Sequence, residues 1–384
     1  MTRLIEILIS LAIVAVLFLA VGVVLPSSRH ISEKVETNRK MTIVYDTINS
    51  FKRFKTWNVL ALRDPKMDIK LSGPDAGVGA RLDYVSNQKS LGVGSGSWEI
   101  TASEPNKRVA VAIENNERGS NKRSAFILKP TGRSGRNVEI TQTYDVDYGW
   151  NLIGRYGGLY VSRHVGDGMQ LSLSRLSNML ASVPNVDYAV KGSKLTGLKV
   201  IERPAEHLLV VSAGSIERNN EKIKASMKGN MEWIKRTMDA SGLVATGPMR
   251  IVSTELGSDT YTFDIVQSVR KGSAASSDDK DDDDAEAGDA AAATPAPAPA
   301  ATDETPLSVK LQGPVTYVQT KPTRTATGSY TGFMAELDNV RNAVRAWALT
   351  QGYEVVDRPY EVYKNGIDAA FTEDGQYQVY WTLK

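Results

Sequence analysis

The sequence predicts an α+β protein: an antiparallel sheet curled around a long helix, followed by a duplicated strand–helix–strand–strand unit. Three observations predict it. Short runs with period-two alternation fill most of residues 28–187, and an apolar helical stripe closes them. Landmarks in the last half of the chain recur at a constant spacing of 110 residues. Ahead of both lies an uncharged apolar stretch of membrane-spanning length.

Composition sets the bounds. A chain of 384 residues exceeds the usual size of one domain, so two or three are expected. Hydrophobic residues make up 41% and charged residues 23%, which excludes wholesale disorder. The absence of cysteine excludes a disulfide scaffold, a thiolate metal site and a cysteine nucleophile. His30, His164 and His207 have no second histidine at ligand spacing, so they read as structural or surface residues, and no metal or other cofactor is expected. The net charge of +2 conceals an asymmetry: Gly272 to Pro306 holds ten acidic residues and one lysine, leaving 45 basic against 34 acidic residues elsewhere.

Ile7 to Leu25 has only Ser10 as a polar residue and spans about 28 Å as a helix, close to the hydrocarbon thickness of a bilayer. The run is longer than a signal-peptide core and no Ala-x-Ala site follows it, so residues 4–25 are expected to be a retained transmembrane helix rather than a cleaved signal. Arg3 precedes the run and Arg29, Lys34, Arg39 and Lys40 follow it, so charge does not decide orientation. The short leading tail and the lack of cysteine favour a bacterial inner-membrane protein with its bulk in the periplasm.

In the next segment Ile31 and Val35 sit in a short extended stretch, and Val44, Ile48 and Phe51 mark an amphipathic helix. Trp57 follows closely. Met67, Ile69 and Leu71 alternate, as do Val109, Val111 and Ile113, and Val138, Ile140, Gln142 and Tyr144, each marking a half-buried strand. Clusters at Gly77–Gly79, Gly92–Gly96, Asn115-Asn116 and Gly132–Gly135 punctuate them as turns. Val165, Met169, Leu173, Leu176 and Leu180 form the closing helical stripe. The stretches Gly73-Pro74-Asp75-Ala76-Gly77-Val78-Gly79-Ala80, Gly92-Val93-Gly94-Ser95-Gly96 with Trp98-Glu99-Ile100, and Glu104-Pro105-Asn106-Lys107-Arg108-Val109 resemble the polyketide cyclase/START-like (SRPBCC) superfamily. The resemblance covers nearly all of residues 28–187. It implies a helix-grip fold with an apolar cavity between sheet and helix, which Trp57, Trp98 and Tyr144 would line; as ordinary core aromatics they would look the same in sequence.

The last segment, residues 195–384, carries the repeat. Arg203-Pro204 and Gly313-Pro314 open strands; Ile223, Met227 and Ile234 match Phe333, Leu337 and Val344; Gly242 and Gly352 stand where a left-handed residue ends a helix. Tyr261–Ile265 and Gln376–Tyr380 read as the final strands. Together with Trp347–Tyr353 and Arg358-Pro359-Tyr360-Glu361-Val362-Tyr363, this unit is similar to the gyrase-inhibitor-like (GyrI-like) effector-binding domains. The resemblance implies a groove between the repeats that holds small, often cationic aromatic molecules. A glutamate on the final strand faces that groove in family members; the matching position is Gln378, its counterpart in the first copy is Asp264, and Trp347 is a further contact. Asp264 would alternatively face only water. The acidic, Ala/Pro-rich insert at 272–306 reads as a disordered linker rather than a calcium loop, since it lacks the glycine and terminal glutamate of that pattern.

Other chemistry is not indicated. Gly92-x-Gly94-x-Gly96 precedes a strand, so no helix N-terminus meets a pyrophosphate there. No helix-turn-helix or basic run points to nucleic acid; Lys222, Lys224, Lys228, Lys235 and Arg236 form an ordinary solvated helix face. The expected protein is a membrane-anchored, non-catalytic binder of small apolar or amphipathic molecules. The rivals are a cyclase- or hydrolase-type enzyme acting in the helix-grip cavity, and a structural envelope protein.

Overall fold

The computed structural model describes residues 2–256, 259–272 and 305–384. The expected linker at 272–306 lies, but for its ends, outside the described residues. The protein is α+β, built of helices and antiparallel sheets. It divides into two compact units, Met1–Ala189 with Ala346–Gly352, and Val190–Arg345 with Tyr353–Lys384.

The first unit opens with α1 (Thr2–Val24), which is long and apolar enough to cross a membrane. Strand β1 (Ser28–Thr37) follows, then helices α2 (Met41–Ile48), α3 (Phe54–Trp57) and α4 (Val59–Arg63). Strands β2 (Asp68–Ser72), β3 (Arg81–Val85), β4 (Ser95–Glu104), β5 (Arg108–Asn115), β6 (Ser120–Thr131) and β7 (Asn137–Asp147) form a meander. β1 returns to pair with β7, from Ser28 opposite Asp147 to Thr37 opposite Val138, giving the sheet order β1-β7-β6-β5-β4-β3-β2. Short α5 (Leu152–Gly157) and long α6 (Asp167–Ala181) complete the unit. β7 alternates without a break, with Val138, Ile140, Gln142, Tyr144 and Val146 buried. α6 buries Met169, Leu173, Leu176 and Leu180, while Val165 falls in a π-helical turn ahead of it. Phe54 meets Trp98 edge-on at 5.2 Å, and Trp57 meets Phe126 at 5.9 Å.

One expectation changes here. α2 stops at Ile48, before Phe51, because the chain turns to bond the glycine-rich loop: Gly77 N–H donates to the Asn49 carbonyl (2.9 Å) and the Ser50 hydroxyl to the Asp75 carbonyl (2.9 Å). Phe51 is nevertheless buried, reached from a turn rather than a helix.

The second unit contains β8 (Leu195–Arg203), β9 (His207–Glu217), α7 (Asn220–Ser241), β10 (Leu243–Ala245), β11 (Arg250–Leu256) and β12 (Thr260–Lys271). Then come β13 (Thr316–Gln319), β14 (Thr323–Thr331), α8 (Leu337–Thr350, of which the residues from Ala346 on are counted with the first unit), β15 (Val355–Tyr363), α9 (Gly366–Ala369) and β16 (Gln376–Leu383). The sheet runs β13-β9-β12-β11-β15-β16-β14-β8, with β10 attached to β12. Two strands, not one, precede each long helix. Arg203-Pro204 leads into β9 but Gly313-Pro314 into β13, so the spacing of 110 residues opens strands that occupy different places in the sheet. β8 pairs with β14, and β13 with β9, so each opening strand joins the later half or the earlier half of the chain across a long sequence distance that no local pattern encodes. Phe333 also departs from expectation: it is exposed and precedes α8, while Leu337 and Val344 are buried as read.

α7 is closed at both ends by its own residues. The Asn219 side chain accepts from Glu221 N–H (2.9 Å) and Lys222 N–H (3.2 Å), and Gly242 ends the helix at φ +63°. Gly242→Ala should cost about 1 kcal/mol, since a side chain is strained at that φ. Gly229→Ala, mid-helix with open space around a new Cβ, should gain roughly 0.5–1 kcal/mol. Urea midpoints of the two variants should therefore move in opposite directions.

Candidate functional site

A cavity of about 90 Å³ lies in the first unit, between the sheet and α6. Trp98 of β4, Ile113 of β5, Gln142 and Tyr144 of β7 and Met169 of α6 line its interior, and Arg63, Glu117 and His164 stand exposed at its mouth. Strand alternation aims Gln142 inward among aliphatic and aromatic neighbours. Its Nε2 donates to the Ser124 hydroxyl (3.2 Å), but its Oε1 has no partner. Trp98 is held by Phe54, and its Nε1 likewise has no partner. Ser172 is occupied, its hydroxyl accepting from Val59 N–H (3.0 Å). Burial raises the Tyr144 phenol above its ordinary value, so it is neutral at the cavity wall. Of the aromatic residues expected at this site, Trp98 and Tyr144 line the cavity. Trp57 instead packs in the aromatic core, 2% exposed.

In the second unit, Tyr261, Phe263 and Ile265 of β12 are buried on the face that carries α8, and the Tyr261 hydroxyl accepts from Arg341 Nη2 of α8 (3.2 Å). Alternation puts Asp264 on the opposite face. Trp381 Nε1 donates to the Arg341 carbonyl (2.8 Å), so Gln378, three residues before it, is on the opposite face too. Asp264 and Gln378 are not brought together: β11 and β15 lie between their strands, about 14 Å of sheet. Gln378 Oε1 accepts from the Ser329 hydroxyl (2.7 Å) and Lys364 Nζ (2.9 Å), and its Nε2 donates to Thr327 (2.7 Å). Trp347 is half-buried on α8 and, like Asp264 and Gln378, lines none of the cavities described here.

The helix side holds the groups that sequence reasoning missed. Cavities of about 200 and 240 Å³ share Asp338 and Arg341. Arg341 is 5% exposed; its Nη2 donates to Glu361 Oε2 (2.9 Å), its Nε to Glu361 Oε1 and its Nη1 to Asp338 (2.6 Å). Glu361, on β15, is fully buried. A signal was present: Arg341 continues the apolar stripe of Leu337, Val344 and Ala348, and an arginine in such a stripe implies a buried carboxylate opposite. On the other face Arg203 and Arg250 share Glu206, with Arg203 4.8 Å from the Tyr380 ring centre and Arg250 5.7 Å from that of Tyr360.

Fold and site together define a mixed helix and antiparallel-sheet protein with a partly polar cavity under a long helix. No protein-family model matches the chain, and no curated protein matches it. Among solved structures, it is similar to protein CV1439 from Chromobacterium violaceum (12% identity, 39% of this chain and 96% of that one, TM-score 0.29). It is similar to the EcmrR C-terminal domain (12% identity, 49% and 97%, TM-score 0.34) and to norcoclaurine synthase from Thalictrum flavum in complex with dopamine and hydroxybenzaldehyde (12% identity, 40% and 87%, TM-score 0.31).

Proposed function

We propose that this chain is a membrane-anchored, non-catalytic binding protein for small apolar or amphipathic molecules, which it holds beneath Trp98 and Gln142. On this reading residues 4–25 are the anchor, residues 28–187 a helix-grip domain of SRPBCC type, and residues 195–384 a duplicated GyrI-like domain. The exchange of β8 and β13 between the halves supports the duplication, because it gives both halves the same succession of strands from edge to centre.

One observation carries the proposal: two residues of the cavity wall hold a covered acceptor, Gln142 Oε1, and a covered donor, Trp98 Nε1, with no hydrogen-bond partner for either. Each unsatisfied buried group costs about 1–3 kcal/mol. An aliphatic side chain would serve packing better at the inward phase of β7. A ligand with an apolar body, one donor and one acceptor would recover both costs once the two side chains turn these atoms toward the cavity. The volume holds about three waters or one end of such a molecule, with its polar end toward Arg63, Glu117 and His164. The carboxylate and the imidazole of the lining, Glu117 and His164, belong to exposed residues, and the buried part of the lining is aromatic, aliphatic and amide, which favours binding over proton transfer.

Small-molecule mass spectrometry of extracts from the detergent-purified full chain tests this. A stoichiometric amphipathic species should leave with wild type, be absent from Ile113→Phe, which fills the cavity, and bind Gln142→Leu about tenfold more weakly. Equal recovery from wild type and Ile113→Phe would place the ligand elsewhere and defeat the proposal.

A further inference from the structure

The segment between β7 and α6 is tied to α1 by specific contacts. Arg155 Nη1 donates to the carbonyls of Gly22 (3.3 Å), Val23 (2.8 Å) and Leu25 (3.2 Å), while its Nε donates to the Gly149 carbonyl (2.8 Å). The last carbonyls of a helix lack partners within it, and an arginine supplies both donors and opposing charge there. The Tyr156 hydroxyl donates to the Phe18 carbonyl (2.7 Å), and the two rings stack at 4.4 Å. Gly22 permits the approach: a Cβ there would lie 3.2 Å from Leu152 Cβ. A cleavable leader would not need this fit.

The same segment exposes large apolar side chains. Trp150 is 82% exposed, Ile153 55%, Leu159 50% and Tyr160 61%. Single exposed hydrophobics are ordinary, but four within eleven residues, on a segment bound to the end of an apolar helix whose own surface is exposed, are an unusual concentration of apolar surface. Tryptophan and tyrosine accumulate where hydrocarbon meets headgroups. We propose that residues 150–160 form an interfacial foot, lying in the headgroup layer of the bilayer that α1 enters. This rests on the reading of α1 as a retained membrane span. His164 and Val165, at the cavity, follow Tyr160 by about 6–8 Å of helical path, which places the mouth beside the headgroups and makes a membrane-partitioned amphiphile the ligand class that reaches it.

The absence of cysteine makes the test direct. Leu159→Cys, Val14→Cys and Arg133→Cys, each labelled with an environment-sensitive fluorophore, are placed separately in full-length protein reconstituted into phosphatidylcholine/phosphatidylglycerol vesicles containing lipids brominated on the acyl chain. Arg133 is the control: it lies in the β6–β7 turn, about 30 Å along β7 from the foot. Leu159 and Val14 labels should lose at least half their emission, and the Arg133 label should be unaffected. Val14 quenched with Leu159 unquenched overturns the foot and leaves the anchor standing. A blue-shifted but unquenched Leu159 label overturns it as well, by assigning the patch to a protein surface such as a second copy. An unquenched Val14 label removes the anchor reading, and the foot with it.

Discussion

Arg341→Met should destabilise the second unit by about 3–5 kcal/mol, because it strands a carboxylate that no water reaches. Glu361 receives both hydrogen bonds of the arginine fork, and Arg341 also binds Asp338 and Tyr261, whose hydroxyl in turn meets Ser253 at 2.9 Å. Burial alone would lower the Arg341 pKa; Glu361 outweighs it and holds the guanidinium well above its ordinary value, so the pair persists into alkaline solution. Arg341→Met/Glu361→Leu should recover most of the loss, since replacing both partners of a buried pair by apolar groups is often neutral. Urea unfolding of the full chain at neutral pH measures all three. A loss below 1 kcal/mol for the single variant would mean that Glu361 finds another partner. The pair also bears on binding. Glu361 lines neither the 200 nor the 240 Å³ cavity; both walls present Arg341 and Asp338 instead.

Glu206→Gln should cost a similar amount, about 3–5 kcal/mol, for the opposite reason: it leaves two buried guanidiniums facing each other without a carboxylate. Arg203 Nη2 reaches both Glu206 oxygens (3.0 and 3.1 Å), and Arg250 Nη1 reaches Oε2 (2.8 Å). Tyr360 and Tyr380, stacked at 4.8 Å, accept the two cations on their faces but cannot neutralise them. Burial pushes the Glu206 carboxyl up, and Arg250 with Arg203 outweighs it, so the folded pKa lies below the ordinary value. A depressed pKa means the contribution is complete above the unfolded value near 4.5 and is lost as pH falls through the folded one. Wild type should lose stability on acidification below pH 4.5 along a slope that Glu206→Gln lacks, and the gap between them should narrow there.

Much of the first unit was legible in the sequence because its contacts are local. β2 to β7 are joined by short hairpins, so alternation and glycine turns specify both the strands and their order. Gln142 could be placed on the inward phase of β7 from Val138, Ile140 and Tyr144 alone. Its unsatisfied oxygen could not, because that depends on what α6 and β4 set beside it. The site in the second unit was less legible. Gln378 and Asp264 were chosen from the resemblance to a family position, and alternation, which assigns a residue to a face, does not say which face carries a helix. Glu361 was overlooked because a glutamate in a strand looks solvated until its arginine, twenty residues away on α8, is packed over it.

Side-chain spacing and the backbone freedom of single residues were enough to specify the apolar α1, the α+β class, the alternation of β2, β5 and β7 and the glycine that ends α7. That β8 crosses to β14 and β13 to β9, that Arg341 neutralises Glu361, and that Arg155 caps α1 emerged only from the folded chain. These are pairings over 100 residues or more, or between charged groups whose burial exists only once the chain has folded, and periodicity carries no record of either.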